Sequence, residues 1–197
     1  MTPSVVAEQN TFIFMDLVGF TALSAERGDD GAADVALLFY EHVRRLLAEH
    51  RAEEIKTIGD AMMIRGEDPQ LAICLGLRVV DELDARGLPP VRVGVHTGSA
   101  VQRHGDWYGA GVNVASRLCS AAGGGEVLVS DATRDAAGSL RRVKLGEREL
   151  HWLKNVPEPV AARPASLREC GRRRIPGGLL EKLTALRAPG PVQEVIG

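Results

Sequence analysis

The sequence lacks a long hydrophobic run and a strong excess of charge of either sign. No apolar segment approaches the roughly 20 residues that span a membrane, and residues 1–10 lack the basic start and apolar stretch of a signal peptide. A formal net charge of −2 argues against a general nucleic-acid binder. With 45% hydrophobic residues in a chain of 197, the composition predicts one ordinary globular domain of the cytoplasm, with a real core and some extra length.

Cysteine and lysine are both scarce. The three cysteines, Cys74, Cys119 and Cys170, are scattered and odd in number, which favours reduced side chains over a disulfide framework. Arginine is common, whereas lysine occurs only at positions 56, 144, 154 and 182. The choice of lysine at position 56 is therefore more informative than usual.

The stretch FIFMDLVGFT at residues 12–21 combines an apolar run with a carboxylate. The run Phe12–Met15 is typical of a strand buried on both faces, and Asp16 follows at its carboxyl end. Gly19 permits a tight turn, and Thr21 can cap a following helix. A charged group at such a strand end, facing a helix start, is common in sites that carry chemistry. The alternative is that Asp16 is simply a turn or capping aspartate.

A second stretch, EEIKTIGDAMMI at residues 53–64, repeats this pattern. Two β-like segments joined by Gly59 and Asp60 predict a hairpin with Asp60 in its turn. Two carboxylates at strand ends, without a His or Cys nearby, favour the oxygen-preferring cations Mg²⁺ or Mn²⁺ over zinc.

The rest of the chain alternates between helical and strand-like patterns. Helices are predicted at 33–50, from Asp68-Pro69 to Gly87, from about 110 to Gly123, and briefly after Ser130-Asp131. A strand is predicted from Val91 to a turn at Gly98, and a partner strand follows the turn and ends near His104. Further strands are predicted at 127–129, near 141–145 and at 149–153. This order predicts an α+β fold with a ferredoxin-like split βαβ core and extra C-terminal strands. We therefore expect an N-terminal lead over 1–9, a folded domain over 10–162, and a poorly ordered tail over 163–197 that carries the basic cluster Arg172–Arg174.

Polar residues also lie in the loop predicted at Gly105–Gly109 and in the helix predicted after it. Asn113 and Arg117 stand four residues apart, on one side of the helix predicted from 110. Asn offers a donor and an acceptor, and Arg offers a rigid fork for phosphate oxygens. Asp106 lies one loop earlier. Taken separately, the pair is better explained as an ordinary solvated helix face, and Asp106 as a turn residue.

Six segments taken together resemble the catalytic domain of class III nucleotide cyclases. They are FMDLVGFT, KTIGDAMM, GVHTG, GDWYGAGVNVASRL, EVLVS and HWLKNVPEPV, in the order and spacing of that family over about residues 10–160. The resemblance implies that residues 10–162 form a nucleotide cyclase catalytic domain. It also implies two divalent cations, Mg²⁺ or Mn²⁺, and a homodimer as the working unit. We expect no sensory domain before this segment, and the tail matches nothing in the family.

The resemblance assigns a role to each matching position. Asp16 and Asp60 resemble the two metal-binding carboxylates, and Lys56 with Asp106 resembles the pair that recognises the base. Asn113 matches the group that orients the ribose, Arg117 the one that stabilises the transition state, and Lys154 more loosely the one that contacts the terminal phosphates. His96, in GVHTG, matches no catalytic position and is expected to be structural.

The same resemblance implies a head-to-tail homodimer in which each active site is shared. The metal aspartates would come from one chain, and the residues that bind base, ribose and phosphate from the other. Lys56 and Asp60, only four residues apart, would then serve different sites.

The base-recognising pair predicts ATP as the substrate. Adenine presents an acceptor at N1 beside a donor amino group, which complements the donor Lys56 and the acceptor Asp106. Guanine also shows an acceptor beside a donor, so donor type alone leaves GTP open. Guanylate cyclases of the family typically carry Glu at the position of Lys56 and a small residue or Cys at that of Asp106, which favours an adenylate cyclase.

Three alternatives remain at this point. The first is a guanylate cyclase, and the second is an inactive cyclase-fold module that binds nucleotide or dimerises. The third is another two-metal phosphoryl transferase on a related scaffold. Loss of Asp16, Asp60, Asn113 or Arg117 would favour the inactive module, and all four are present.

Overall fold

The computed structural model describes residues 8–168. Its strands are β1 (Glu8–Leu17), β2 (Ala52–Ile58), β3 (Ala61–Gly66), β4 (Val91–Arg103), β5 (Asp106–Tyr108), β6 (Val127–Ser130), β7 (Val143–Leu145), β8 (Glu149–His151) and β9 (Val160–Leu167). Its helices are α1 (Phe20–Leu47), which continues into a 3₁₀ turn (Ala48–His50), α2 (Pro69–Asp84), α3 (Ala110–Ala121) and α4 (Asp131–Ala137). None of these helices is both long and apolar enough to cross a membrane. The predicted cluster Arg172–Arg174 lies outside the described residues.

The strands form one mixed sheet in the order β2-β3-β1-β4-β6-β9-β7. The first four are antiparallel neighbours and reproduce the ferredoxin-like order. The parallel strand β6 follows β4 through the crossover helix α3, and β9 then pairs antiparallel with β6, β7 and β8. Strand β5 pairs with the end of β4. This topology confirms the predicted α+β fold with a split βαβ core and extra C-terminal strands.

Strand β1 is buried on both faces, as its continuous apolar run predicts. One face packs against α1 and α2, and the other against Trp107 and α3. Because successive side chains alternate, Asp16 lies on the α3 face, in line with Phe12 and Phe14. The packing partners of β1 on the two faces include Phe39, Val43 and Ile73 on one side and Ala115 and Cys119 on the other.

The first helix differs from the prediction at its start. Helix α1 begins at Phe20 rather than at residue 33, and Gly19, with φ 82°, precedes it without any side-chain cap, so Thr21 does not cap the helix. The segment between is mostly polar and contains Gly28, where the helix kinks at φ 76° and ψ 168°. A polar, kinked segment carries no continuous apolar stripe, which explains why periodicity located only the second part of α1.

The turn predicted at Gly98 is wrong. Strand β4 runs unbroken through Gly98, which pairs with Asn10 of β1, and the chain turns at His104 and Gly105, with φ 51° and 82°. The glycine is explained by packing, since a Cβ at position 98 would lie 3.0 Å from the Cα of Gly111 in α3. A close approach of helix and strand, and not a turn, therefore requires glycine here.

The sequence pattern did not predict strand β9, which extends past residue 162, the predicted end of the folded domain. It lies between β6 on one edge and β7 and β8 on the other, and continues to Leu167. Its sequence, VAARPASL, contains a proline and few β-branched residues, so its pattern predicts a strand only weakly. At the other end, β1 begins at Glu8, within the predicted lead.

Candidate active site

Asp16 lies at the end of β1, opposite Ala61 of β3 and Arg92 of β4. Its Oδ2 accepts a hydrogen bond from Arg92 Nε at 2.7 Å and a second from Nη2, so the guanidinium grips a single carboxylate oxygen. The Asp16 side chain is 17% exposed and that of Arg92 33% exposed. This pair gives the carboxylate a positive partner within its own chain.

Arg92 is a residue of the site whose role the sequence reasoning missed. The alternation of VRVGVH indicates that Arg92 points away from the valine face, but it gives no partner. The partner follows only from the register of β1 with β4, which sets Asp16 opposite Arg92. A pairing between strands 76 residues apart is not encoded in local periodicity.

Asp60 occupies the second position of the β2–β3 turn, as predicted. Gly59 supplies the positive φ of 61° that the turn needs, and the Asp60 carbonyl oxygen accepts a hydrogen bond from the Leu17 amide at 3.4 Å. Burial raises the pKa of the Asp60 carboxyl, and the neighbouring negative charge of Asp16 raises it further. The structure therefore brings the two predicted metal ligands together at one end of the sheet.

The two carboxylates fit a hard divalent cation. Their mutual repulsion is relieved when a cation lies between them, and oxygen is the donor that Mg²⁺ and Mn²⁺ prefer. Within residues 8–168 no group of three or more His, Cys, Asp or Glu side chains is placed to hold a metal ion. A cation here would therefore take its remaining ligands from backbone, water or phosphate oxygens, which is the usual arrangement for Mg²⁺ beside a nucleotide.

Lys56 and Asp106 form an ion pair, although they are 50 residues apart in the chain. Lys56 Nζ donates to Asp106 Oδ2 at 2.5 Å, and the Trp107 amide donates to Asp106 Oδ1 at 2.8 Å. The hydrogen bond from Lys56 is the main cause that lowers the pKa of the Asp106 carboxyl. Both side chains remain partly accessible, 40% for Lys56 and 25% for Asp106. The predicted base-recognising pair is thus already assembled within one chain.

Trp107 anchors this pair to the core. The indole is buried, and its ring centroid lies 5.7 Å from that of Phe12 in an edge-to-face arrangement. Because Asp106 is adjacent to Trp107, the position of the carboxylate is set by the packing of the indole. Strand β2 brings Lys56 to the same place after an irregularity in its pairing between Glu54 and Lys56.

Asn113 and Arg117 lie on the outer side of α3. The inner side of this helix rests directly on β4, where a Cβ at Gly94 would overlap the backbone of Cys119. Asn113 and Arg117 are each two residues from the fully buried Ala115, which places them about 160° around the helix from it. Asn113 is exposed and Arg117 half-buried, and neither side chain forms an ion pair or hydrogen bond with another of residues 8–168.

One chain therefore does not bring all the predicted residues together. The Asp16–Arg92 pair lies on the sheet beneath the end of α3, where Arg92 Nη1 reaches the carbonyl of Ser120 at 3.4 Å. Asn113 and Arg117 point away from that sheet, so the helix itself separates them from the carboxylates.

Lys154 lies beside α3 as well. It is exposed, in a turn just after β8, and follows Leu153, which is buried against Val114 and Leu118 of α3. The structure therefore places Lys154 on the flank of the helix that carries Asn113 and Arg117.

His96 is half-buried within β4, where its Nδ1 lies 2.9 Å from the Ser130 hydroxyl. Burial lowers its pKa to about 4, so the ring is neutral at pH 7. These contacts agree with the prediction of a structural histidine.

Comparison with known proteins identifies the family. The chain is 43% identical over 137 residues to a pH-sensitive adenylate cyclase of Mycobacterium tuberculosis, a match that covers 67% of this chain and 33% of the relative. It is 34% identical over 120 residues to an adenylate cyclase of Streptomyces griseus, covering 60% of this chain and 30% of that one. The chain thus spans about a third of the length of these curated relatives.

A solved structure shows the same fold. The adenylyl cyclase CyaB from P. aeruginosa superimposes with a TM-score of 0.70 at 22% identity, covering 82% of this chain and 96% of that one. The sequence profile of the family described as "Adenylate and Guanylate cyclase catalytic domain" matches residues 4–154. The family generally uses divalent metal ions. The chain belongs to the adenylate and guanylate cyclase catalytic domain family.

Proposed function

We propose that this chain is an adenylate cyclase that converts ATP to 3′,5′-cyclic AMP and pyrophosphate, at sites shared between two copies in a head-to-tail homodimer. The observation that carries the choice of substrate is the Lys56–Asp106 pair, held at 2.5 Å beside the buried Trp107. Curated relatives named as adenylate cyclases, at 43% and 34% identity, support the same activity.

Adenine recognition uses the hydrogen-bonding capacity that the ion pair leaves open. Lys56 keeps two further N–H donors, one of which can reach the N1 acceptor of adenine. Asp106 keeps lone pairs that can accept from the 6-amino group. Because each residue holds the other, neither loses much conformational freedom when the base binds. A base whose donor and acceptor were exchanged along this edge would leave a charged group of the pair without its hydrogen-bond partner.

Asp16 and Asp60 are proposed to hold two divalent cations, Mg²⁺ or Mn²⁺, together with the triphosphate. When bound, such cations lower the pKa of the ribose 3′-hydroxyl and offset the charge of the triphosphate. Arg92 is hydrogen-bonded to Asp16 in this structure, and with Asp16 bound to a cation its guanidinium would be free to donate to nearby phosphate oxygens.

The residues of α3 are proposed to act on the ribose and the α-phosphate. In the reaction the ribose 3′-hydroxyl gives up its proton to water, its oxygen forms a bond to the α-phosphorus, and the bond from the α-phosphorus to the departing pyrophosphate breaks. Asn113 orients the ribose, and Arg117 donates hydrogen bonds to the oxygens where negative charge develops. One such well-placed donor contributes about 2.7–4 kcal/mol in comparable sites. Lys154, which follows Leu153 packed against the same helix, is proposed to contact the terminal phosphates.

The orientation of α3 supports a shared site. Asn113 and Arg117 point away from the sheet that carries the carboxylates, so a second copy is needed to bring both groups to one ATP. A closed two-fold dimer creates two such composite sites, each with carboxylates from one copy and α3 from the other.

The direct test is incubation of the purified chain with ATP or GTP and either Mn²⁺ or Mg²⁺, with cyclic nucleotides identified by mass. We expect cyclic AMP in excess of cyclic GMP, in a cation-dependent reaction. Cyclic GMP as the main product would identify a guanylate cyclase. Nucleotide binding without any cyclic product, by a folded dimer, would identify an inactive cyclase-fold module.

A further inference from the structure

Tyr40 of α1 reaches the turn that carries Asp60. Its side chain is buried, only 7% exposed, and its hydroxyl donates a hydrogen bond to the carbonyl oxygen of Gly59. Gly59 immediately precedes Asp60. A helix on one side of the sheet is therefore tied directly to the peptide group that joins these two residues.

The geometry of the turn makes this peptide group important. Gly59 and Asp60 form a two-residue connection between the paired residues Ile58 and Ala61. Gly59 has φ 61° and Asp60 does not have a positive φ, which is the pattern of a type II′ turn. The Gly59 carbonyl belongs to the central peptide of such a turn, and the ladder hydrogen bonds of the hairpin do not fix its orientation. Rotation of this peptide would redirect the Asp60 side chain.

A second contact holds the other side of Asp60. The carbonyl oxygen of Asp60 accepts from the amide of Leu17, which follows Asp16 in β1, at 3.4 Å. The peptide groups before and after Asp60 are thus both held, one by α1 and one by the strand that carries the other carboxylate. These two contacts fix the direction of Asp60 relative to Asp16.

Tyr40 is itself held in place by its neighbours. Its ring packs against that of Phe39, with the two ring centroids 5.5 Å apart. The Arg44 guanidinium lies 5.7 Å from the centroid of the Tyr40 ring. Arg44 in turn donates to both carboxylate oxygens of Glu54 in β2, at 2.6 and 2.8 Å. The phenol therefore has little freedom to leave the Gly59 carbonyl.

We propose that Tyr40 is a positioning residue for the divalent-cation site: through the Gly59 carbonyl, it holds Asp60 in the direction that lets it bind a cation jointly with Asp16. This inference rests on the proposed function, since the cation is the one that cyclisation of ATP requires. Burial, with Asp60 nearby, raises the pKa of the Tyr40 hydroxyl, which therefore remains a proton donor at neutral pH.

The test is the variant Tyr40→Phe, which removes only the hydroxyl. Mn²⁺ binding to the purified full chain is measured without nucleotide, by electron paramagnetic resonance of the free ion. We expect the Mn²⁺ affinity to fall about two- to twelvefold, because one hydrogen bond contributes about 0.5–1.5 kcal/mol net. The Mn²⁺ concentration for half-maximal activity should rise similarly, while the preference for ATP over GTP should not change.

Thr133→Val is the matched control. Thr133 is also buried and donates its hydroxyl to the carbonyl of Val95 at 3.3 Å, away from the carboxylates. This variant should lose stability without losing Mn²⁺ affinity, so it separates a general effect of a missing buried hydroxyl from an effect on the site.

Asp60→Asn shows whether the measured ion is the relevant one. If Asp60→Asn abolishes Mn²⁺ binding and Tyr40→Phe leaves it unchanged, Tyr40 does not position the site and the inference is wrong. If Asp60→Asn has no effect, or the unmodified chain binds no Mn²⁺, the assignment of the carboxylates to a cation fails, and the inference fails with it. Reduced Mn²⁺ binding by Tyr40→Phe in a chain that forms no cyclic AMP would support the inference while contradicting the proposed activity.

Discussion

The carboxylates of the sheet and the polar pair of α3 are held very differently within one chain. Asp16 and Asp60, the sheet half of the site, are fixed by Arg92, by the Leu17 amide and by the Tyr40–Gly59 contact. Asn113 and Arg117, the helix half, face away from that sheet without an ion pair to any of residues 8–168.

The physical reason for the difference is charge. Two neighbouring carboxylates repel each other, so the sheet half is stable without a cation only when a positive group such as Arg92 offsets them. An asparagine and an arginine on a half-exposed helix face have water as a partner and need no such support. The side chains of the sheet half are therefore held in place within one chain, whereas those of the helix half become ordered only when they bind a partner.

Removal of a carboxylate should have the largest effect on activity. Asp16→Ala should reduce cation-dependent cyclisation by at least about a hundredfold, because a cation loses a ligand that the second carboxylate cannot replace. Arg92 is left without its partner, but it is partly exposed, so the chain should remain folded. Initial rates with Mn²⁺ and ATP, and an unfolding curve for each variant, measure the two effects. Near-normal activity of Asp16→Ala would remove the sheet half from the site.

A mixing experiment tests whether the two halves come from different chains. Asp16→Ala and Arg117→Ala proteins should each be nearly inactive alone. After complete subunit exchange, half of the dimers are mixed, and in each of these one site collects both changes and the other none. Activity should therefore return to about a quarter of that of the unmodified protein. No recovery after demonstrated exchange would mean that each site lies within one chain, and that Lys56 and Asp60 serve the same ATP.

Local patterns predicted those parts of the fold that depend on neighbours in sequence. Asp68 caps α2 by accepting from the amides of Gln70 and Leu71, and Ser130 caps α4 by accepting from Thr133, as the sequence predicts. Asp60 lies in its hairpin turn because Gly59 can take a positive φ. Asp16 lies at the end of a strand buried on both faces.

Features that depend on distant parts of the chain were not predictable in this way. The Asp16–Arg92 pair depends on strand register, and the Tyr40–Gly59 contact depends on the packing of α1 over the hairpin. Strand β9 is stabilised by pairing on both edges in spite of its proline. The closeness of Lys56 and Asp106 was implied by family resemblance and not by any local pattern, since β2 and β5 come together only in the folded sheet.

Exchange of the base-recognising residues should have a smaller effect than loss of a carboxylate. Lys56→Glu combined with Asp106→Cys should lower the ratio of ATP to GTP turnover by at least about tenfold, because only contacts to the base edge change. The double variant removes both members of the ion pair, and the glutamate introduced at position 56 is solvated there because the site is partly exposed. The ratio is measured as kcat/KM for each nucleotide, with Lys144→Glu, at an exposed lysine in strand β7, as the control. An unchanged ratio would exclude this pair from base recognition.

Helix α3, which carries the helix half, packs against β4. We expect this packing to become less stable in acid because of His96. This residue lies in β4 between Gly94 and Gly98, two positions at which α3 approaches the strand closely. Its folded pKa of about 4 is below the ordinary value of 6.5, so the unfolded chain takes up the proton first as the pH falls. The stability that neutral His96 allows is therefore fully present above about pH 6.5 and declines as the pH falls toward 4. Its loss amounts to no more than about 3 kcal/mol.

His96→Asn, which cannot titrate in this range, tests that effect most directly. Urea unfolding at a series of pH values should give a smaller decline in the free energy of unfolding between pH 6.5 and pH 4.5 for this variant than for the unmodified chain. His104→Asn, at an exposed position, should follow the unmodified chain. Parallel declines for all three proteins would show that carboxylates such as Asp106 and Asp131, whose pKa values are lowered by their basic partners, account for the acid sensitivity instead. A specific effect of His96→Asn would locate the acid-sensitive contact where α3 meets β4, under the helix half rather than under the better supported sheet half.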